Sequence, residues 1–550
     1  MNDLRFDPDA TGGDLFNSFT LKGFVDRFYA NRPKTTINGN HSEKSRVHET
    51  YKLYADERAI LARLRRLPAP MSEVVVKAVE EFGGVLPRSI FERLDINNGV
   101  WQPDVWKQEL ESHFLGTVKD LSLGPYGIHA SEEALVMFHE VVMAKLKSLS
   151  TERPAQVVHE VEMGVDLVSD ITRFFAFLQD EHVRFTVHGE LFKTSEKRLA
   201  DRFVPGIDPH SKEPSAHEVL DFIYRFCTAE RLIHKTGERS YTISDKGAQW
   251  EKKSLIDKQQ DLLRFSIEER HLAGDAFHQV RLRKYCIRYL KRLEPEQWYD
   301  AMFLPFIARN AYVAGMDPKT VEQFFTVRNQ HSDKPSPLED LQQMGWNLLL
   351  WVRRRLSLLG IVDLGLDSVG RPVAIRLSRM GAKLLGVLPQ TSFRAGHSHL
   401  IVNPNFEIVL LPEGDEFELA HALDRFCIRK KHEVLYHYEI TEESFKRGLR
   451  DGMKVSEMQN ILSRHARSPL PQNIIFSIHE WAERAGVVWL EGMSLRSRHA
   501  GAIDRLFNAP KIASHVADRP SSDLLVLRHG TNLTDIRGVA RELGLSIERP

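Results

Sequence analysis

Apolar residues recur along this chain mostly at helical spacing, interrupted by short alternating runs. The spacing predicts helices over Met71–Phe82, Pro87–Leu94 and Pro103–His113, then over Ser215–Ala229, Gln279–Leu293 and Leu338–Leu359. Between them lie short apolar or alternating segments that read as strands. These are Gly116–Lys119 with Tyr126–His129, Leu232–Ile243, and Ile361–Leu364 with Arg371–Leu377. Three segments therefore repeat one order: helices, a strand, a turn, a second strand and a final helix. The last two end alike, Tyr241–Gly247 aligning with Ile375–Gly381, so that Ser244 and Ser378 are each placed to cap a following helix.

Helices followed by a two-stranded ribbon and a last helix describe a winged helix, and three degenerate copies are expected. The polar stretch 31–48 has little periodicity and reads as a loop or linker. Beyond the third copy the pattern changes. Leu400–Leu411 reads as one strand that becomes continuously apolar, Phe417–Arg429 as a helix and Glu433–Ile440 as a second strand. Helices capped by Thr441 and Ser456 follow, then a Pro469/Pro471 turn and a helix burying Ile474, Ile475, Ile478 and Trp481. Strands Val487–Leu490 and Leu524–Leu527 and a helix Leu533–Leu543 complete a compact α+β unit.

The order of elements from Leu400 to Trp481 resembles the N-terminal, damage-recognition-like domain of the XPB helicase family, as it occurs in bacterial helicase-associated proteins. Thr186, Gly189, Leu191 and Lys193, leading into a basic helix, are similar to a turn-and-helix pattern of the same proteins. The resemblance implies a role in nucleic-acid transactions such as repair, with a separately encoded helicase as partner. The expected fold class is helix-rich α+β, with an N-terminal extension at 1–58, winged helices at 59–150, 151–254 and 255–390, and the XPB-N-terminal-like domain at 391–550.

Composition narrows the field. At 550 residues, several cores are expected. Formal net charge is zero, which argues against a uniformly basic polyanion binder but not against local basic faces. Cys227, Cys286 and Cys427 are widely spaced, without C-x-x-C, and read as reduced buried thiols of a cytoplasmic protein. No signal peptide or membrane-length apolar run is evident, so no membrane association is expected.

Chemistry is conspicuous mainly by its missing signatures. A motor needs a phosphate-cradling G-x-x-x-x-G-K-[ST] loop, and neither Gly-Lys-Ser nor Gly-Lys-Thr occurs. Asp180–Val183 resembles a DExH box with the histidine one place early. His432 and His437 are separated by five positions rather than the four that bring two imidazoles to one metal, and His397 with His399 has no further ligand in view. No catalytic residue, metal or cofactor is expected.

Nucleic acid has better candidates. Lys446 and Arg450 share one helix face, and Arg464 and Arg467 another. Lys193, Lys197 and Arg198 lie on a candidate recognition helix, with Arg239 on the wing. The Gln279–Leu293 helix carries Arg281, Arg283, Lys284, Arg288, Lys291 and Arg292 with no acid among them. Its Tyr285 and Tyr289 read as core-facing. For the first set the competing reading is an ordinary solvated face, and for the winged-helix set it is contact with protein. The expected function is a non-catalytic DNA-binding accessory or helicase partner; the alternative is a scaffold or adaptor whose winged helices bind protein.

Overall fold

The computed structural model describes residues 14–30, 43–94, 100–129, 131–150, 156–180, 193–200, 203, 215–237, 240–316, 322, 326, 338–389, 399–411, 416–432, 435–450, 453–497 and 501–548. The fold is helix-rich α+β and divides into two compact units. One comprises 1–162, 210–212 and 260–389; the other comprises 163–209, 213–259 and 390–550.

The first unit holds two antiparallel sheets. Val85–Pro87, Ser131–Met137 and Gly116–Ser122 form one, with Ser131–Met137 central. The predicted strand at Tyr126–His129 is instead a turn. Pro125 opens a single 3-10 turn and Gly127 takes a left-handed φ of 68°, which moves the returning strand to Ser131–Met137. The second sheet orders His159–Val161, Val362–Leu366, Pro372–Leu377 and Trp298–Asp300. The helix Phe303–Ala314 is buried throughout, and against it pack the helices Ala276–Leu290 and Leu341–Trp351. Within it Arg309 donates to the carbonyls of Phe82 and Gly83, both at 3.0 Å, and of Leu341 at 3.1 Å. Burial lowers this guanidinium to about 9.

In the second unit, the hairpin Ile233–Gly237/Ser240–Ile243 follows the helix Ala216–Ala229. A four-stranded sheet follows in the order Leu400–Val402, Glu407–Leu410, Tyr436–Glu439, Ile428–His432. Leu400–Leu411 is thus a hairpin and not one strand. Pro404 interrupts the apolar run, Phe406 adopts φ 70°, and Leu400 pairs with Leu410. The helix read as Phe417–Arg429 is Glu416–Asp424, because Ile428–His432 is drawn into the sheet beside Tyr436–Glu439. Ser456 lies inside a helix that starts at Val455 with Lys454 at the cap position, so it is not the cap. A five-stranded sheet closes the unit, including a parallel pairing of Val487–Glu491 with Ser546–Glu548. Its core gathers Val488, Leu490, Leu495, Ile503, Leu525 and Ile536.

The paired chain ends seen in the sequence coincide in atomic detail. Ser244 Oγ donates to the Arg231 carbonyl at 2.7 Å and accepts from Gly247 N at 3.0 Å. Ser378 Oγ donates to the Gly360 carbonyl at 2.6 Å and accepts from Gly381 N at 2.8 Å. In both, a left-handed residue ends the preceding helical segment, Arg231 at φ 56° and Gly360 at φ 64°. In both, the glycine is required by close approach. A Cβ on Gly247 would meet the Leu232 carbonyl at 2.2 Å, and one on Gly381 the Ile361 carbonyl at 2.1 Å.

Candidate functional site

The basic residues of the second unit have uneven surroundings. Lys446 lies on the helix Glu442–Arg450 and pairs with Glu442 at 2.7 Å, one turn back. Glu442 also receives Arg484 at 3.1 Å, and Arg484 in turn meets Glu480. The Lys446 hydrogen bond, reinforced by both cations, holds the Glu442 carboxyl below its usual range. Lys446 is therefore one member of a surface network of alternating sign. Arg450 ends the same helix, and its side chain lies outside the described residues. Its neighbour Arg447 donates to the carbonyls of Asp424 at 3.2 Å and Cys427 at 2.8 Å, a packing role.

Arg464 is exposed in the last turn of Val455–His465, where a cation is favoured by the helix dipole, but Arg467, also exposed, lies beyond the extended Ala466, so the two do not share a helix face. Arg467 N donates to the Leu400 carbonyl at 2.8 Å, which ties this end to the sheet edge. Lys197 and Arg198 are exposed on the helix Lys193–Ala200. Beside them Glu196 accepts from His217 at 2.6 Å, and that bond raises the imidazole's pKa. The side chain of Lys193, and Arg239, Thr186, Gly189 and Leu191 entirely, lie outside the described residues. The same holds for His397 and for most of Asp180–Val183.

The remaining candidates resolve plainly. Cys227, Cys286 and Cys427 are free and buried, and burial pushes each thiol up. His437 faces Glu407 of the adjacent strand at 3.2 Å. Among the described residues no group of three or more His, Cys, Asp or Glu is arranged to hold a metal ion. None of the described helices is long and apolar enough to cross a membrane.

Two features escaped the sequence. The first is a buried ionic network. Arg429, on Ile428–His432, is bonded to Asp166 and to Asp424. Ser169 Oγ donates to Asp424 at 2.6 Å, and Arg173 approaches Asp424 at 3.8 Å. Burial alone would raise the Asp424 carboxyl; the two guanidiniums overcome it and hold it low. His421 and Lys258 adjoin at 3.4 Å, and burial lowers both, the imidazole to about 3 and the amine to about 8. The whole network is buried, and it ties the helix Asp166–Asp180 to the strand Ile428–His432.

The second is a groove of about 660 Å³ between the helix Gln472–Arg484 and the strands Val487–Glu491 and Ser494–Arg496. Phe476 is 63% exposed and Ile475 40%, so Ile475 is not part of the core as its sequence position implied. The reason is angular: Ile474, Ile475 and Phe476 sweep roughly 200° of a helix, wider than one buried face. His479 packs on Trp489 in a tilted arrangement, with ring centroids 4.8 Å apart and planes at 49°, and Trp489 Nε1 donates to Glu483 at 3.2 Å. Three consecutive apolar residues beside polar turns were the available signal.

Comparison with known proteins adds one finding. Residues 400–520 match the model of the helicase conserved C-terminal domain. The match covers the four-stranded sheet, the groove and part of the five-stranded sheet, and the likeness to a helicase domain is confined to that stretch. No curated protein matches the chain.

Proposed function

We propose that this chain is a non-catalytic DNA-binding accessory protein, or the partner of a separately encoded helicase, in repair or related DNA transactions. The observation that carries the reading is the helicase-associated match over 400–520 in a sequence without Gly-Lys-Ser or Gly-Lys-Thr. The XPB-N-terminal-like assignment of 400–481 belongs to the same proposal. So do the winged helices, supported by the duplicated Ser244/Gly247 and Ser378/Gly381 geometry. Arg464, Arg467, Lys197 and Arg198 are the exposed cations proposed to meet the phosphate backbone, and the positions of Lys193, Arg239 and Arg450 extend those two sets. Lys446 contributes less, since Glu442 already neutralises it. Affinity for duplex and forked DNA, measured against salt and alongside ATP hydrolysis, tests the reading. Binding that weakens steeply with salt and no hydrolysis support it; absence of binding at low salt refutes it.

The groove favours a second reading, an adaptor that binds protein. An exposed phenylalanine beside a packed His–Trp pair is the composition of an interface anchor. Under that reading Phe476→Ser abolishes association with a helicase partner and leaves DNA affinity unchanged.

A further inference from the structure

The helix Ala276–Leu290 segregates its residues by charge more sharply than its sequence suggests. Arg283 turns inward, fully buried, and donates to the carbonyls of Ile267 at 3.1 Å and Glu269 at 2.7 Å. Leu282, Cys286 and Leu290 are buried with it. The other five cations, Arg281, Lys284, Arg288, Lys291 and Arg292, fall within an arc of about 100° at 3.6 residues per turn, on the opposite side. Lys284, Lys291 and Arg292 are exposed and Arg281 and Arg288 half-buried. The row extends roughly 16 Å at 1.5 Å per residue.

Two helices packed against Ala276–Leu290 bring no acid to it. Phe303–Ala314 and Leu341–Trp351, which pack against it, contain no Asp or Glu. Of the carboxylates near the helix, Glu140 is buried close to Tyr289 and accepts from Leu21 N at 2.7 Å. Glu269 is on the buried side with Arg283 and Arg355, and Glu339 accepts from Gln279 at 2.9 Å. Asp275 caps the N-terminus, and Glu294 and Glu296 follow only after the row ends.

The aromatic residues between the cations are committed to the interior. Tyr285 packs on Tyr312 with centroids 5.7 Å apart, and Tyr289 lies 3.3 Å from His139 Nε2. Arg281 is laid over Phe277 at 3.6 Å and Arg292 lies 5.1 Å from the Tyr289 ring, which stiffens two of the five side chains. No ring is presented for stacking on a base.

We infer that the Arg281–Arg292 face is a nucleic-acid backbone site, which reads phosphate charge and no sequence. It rests on the DNA-binding reading above and gives it a surface in the first unit, outside the residues that match the helicase domain. Five cations in a row meet a duplex that carries one charge per about 1.7 Å of axis, and each phosphate neutralised contributes about 0.9 to the salt slope.

The test is fluorescence anisotropy of the full chain with a short labelled duplex at several salt concentrations, repeated with a duplex of scrambled sequence. The variant Lys284→Glu/Arg288→Glu/Lys291→Glu is compared with Arg464→Glu/Arg467→Glu and with the milder Lys284→Gln/Lys291→Gln. The expected result is at least tenfold weaker binding for the triple reversal, a salt slope smaller by about 2 to 3, and equal loss on both duplexes. The glutamine pair should lower the slope by about 2 with an unchanged thermal transition, which separates the effect from misfolding. A parent chain that binds DNA and a triple reversal that binds as well overturn this inference alone. A parent that binds no DNA overturns it together with the reading it rests on. A parent that binds a polyglutamate probe but no DNA assigns the face to an acidic protein instead, and also overturns it.

Discussion

Arg429 and Asp166, 263 positions apart in the chain, form a buried ion pair that ties the start of the helix Asp166–Asp180 to the sheet of the helicase-like region. Asp424 is the second carboxylate on the same guanidinium, also buried. Removing the cation takes this guanidinium from both buried acids and leaves Asp424 with Arg173 at the longer distance of 3.8 Å. Arg429→Met is expected to lower the stability of the second unit by about 3–5 kcal/mol, read as the shift of its urea transition. A fragment beginning at residue 391 lacks Asp166, Ser169 and Arg173, and is expected to unfold at lower urea than the same region in the full chain. A loss below about 1 kcal/mol in the variant would place the pair among the weakly contributing ones.

Asp363 gives a pH dependence of opposite sign to the usual carboxylate. It is 6% exposed on Val362–Leu366 and bonds Arg376 at 2.9 Å, while Glu160 and Glu162 share that guanidinium. Burial, and then the charge of Glu162, raise it to about 7. The folded state therefore holds a proton that the unfolded chain releases near its ordinary value of 3.8. Its contribution to stability is complete below about pH 4 and is lost as pH rises through about 7. Asp363→Asn is expected to remove this part of the decline between pH 4 and 7, measured as the difference between variant and parent urea midpoints across that range. Parallel curves for the two proteins would contradict the assignment.

The duplicated Ser–Gly geometry makes a matched pair of predictions. A methyl group at Gly247 or Gly381 has no room against the carbonyl of the preceding strand. Gly247→Ala and Gly381→Ala are each expected to cost about 1–3 kcal/mol from the forced shift. Ser378→Ala should cost about 1 kcal/mol, the ordinary loss of a helix cap. Thermal denaturation of the three variants checks the order. A Gly381→Ala protein as stable as the parent would show that the approach of strand to helix is looser than described.

The groove predicts a contrast between two phenylalanines. Phe476 is exposed and Phe445 fully buried. Phe476→Ser should change stability by less than about 0.5 kcal/mol. Truncating Phe445 to alanine should cost about 3–5 kcal/mol. Equal losses in chemical denaturation would mean that Phe476 belongs to the core and that no open groove exists.

The features legible in the sequence are those set by neighbours in the chain. Ser244 and Ser378 announce their caps because a cap bonds three residues ahead. The tail strand Leu524–Leu527 and the helix from Leu533 follow from periodicity. Periodicity fails where one apolar run turns on itself, as at Pro404–Phe406, or where a helix gives way to a strand, as after Asp424. For the candidate cations, spacing alone placed Lys446 on a polar face, but its Glu442 partner sits at i−4 and was available to read. Arg283 lies among five surface cations in sequence and turns inward only because carbonyls at the end of another helix await it. The Arg429–Asp166 pair had no local signal at all.

The measurement that bears most directly on the account is equilibrium binding of the full chain to forked DNA between about 50 and 200 mM salt, with ATP hydrolysis followed in the same samples. The account predicts affinity whose logarithm falls linearly with the logarithm of salt, and no hydrolysis with or without DNA. No binding at the lowest salt, or hydrolysis stimulated by DNA, would contradict it.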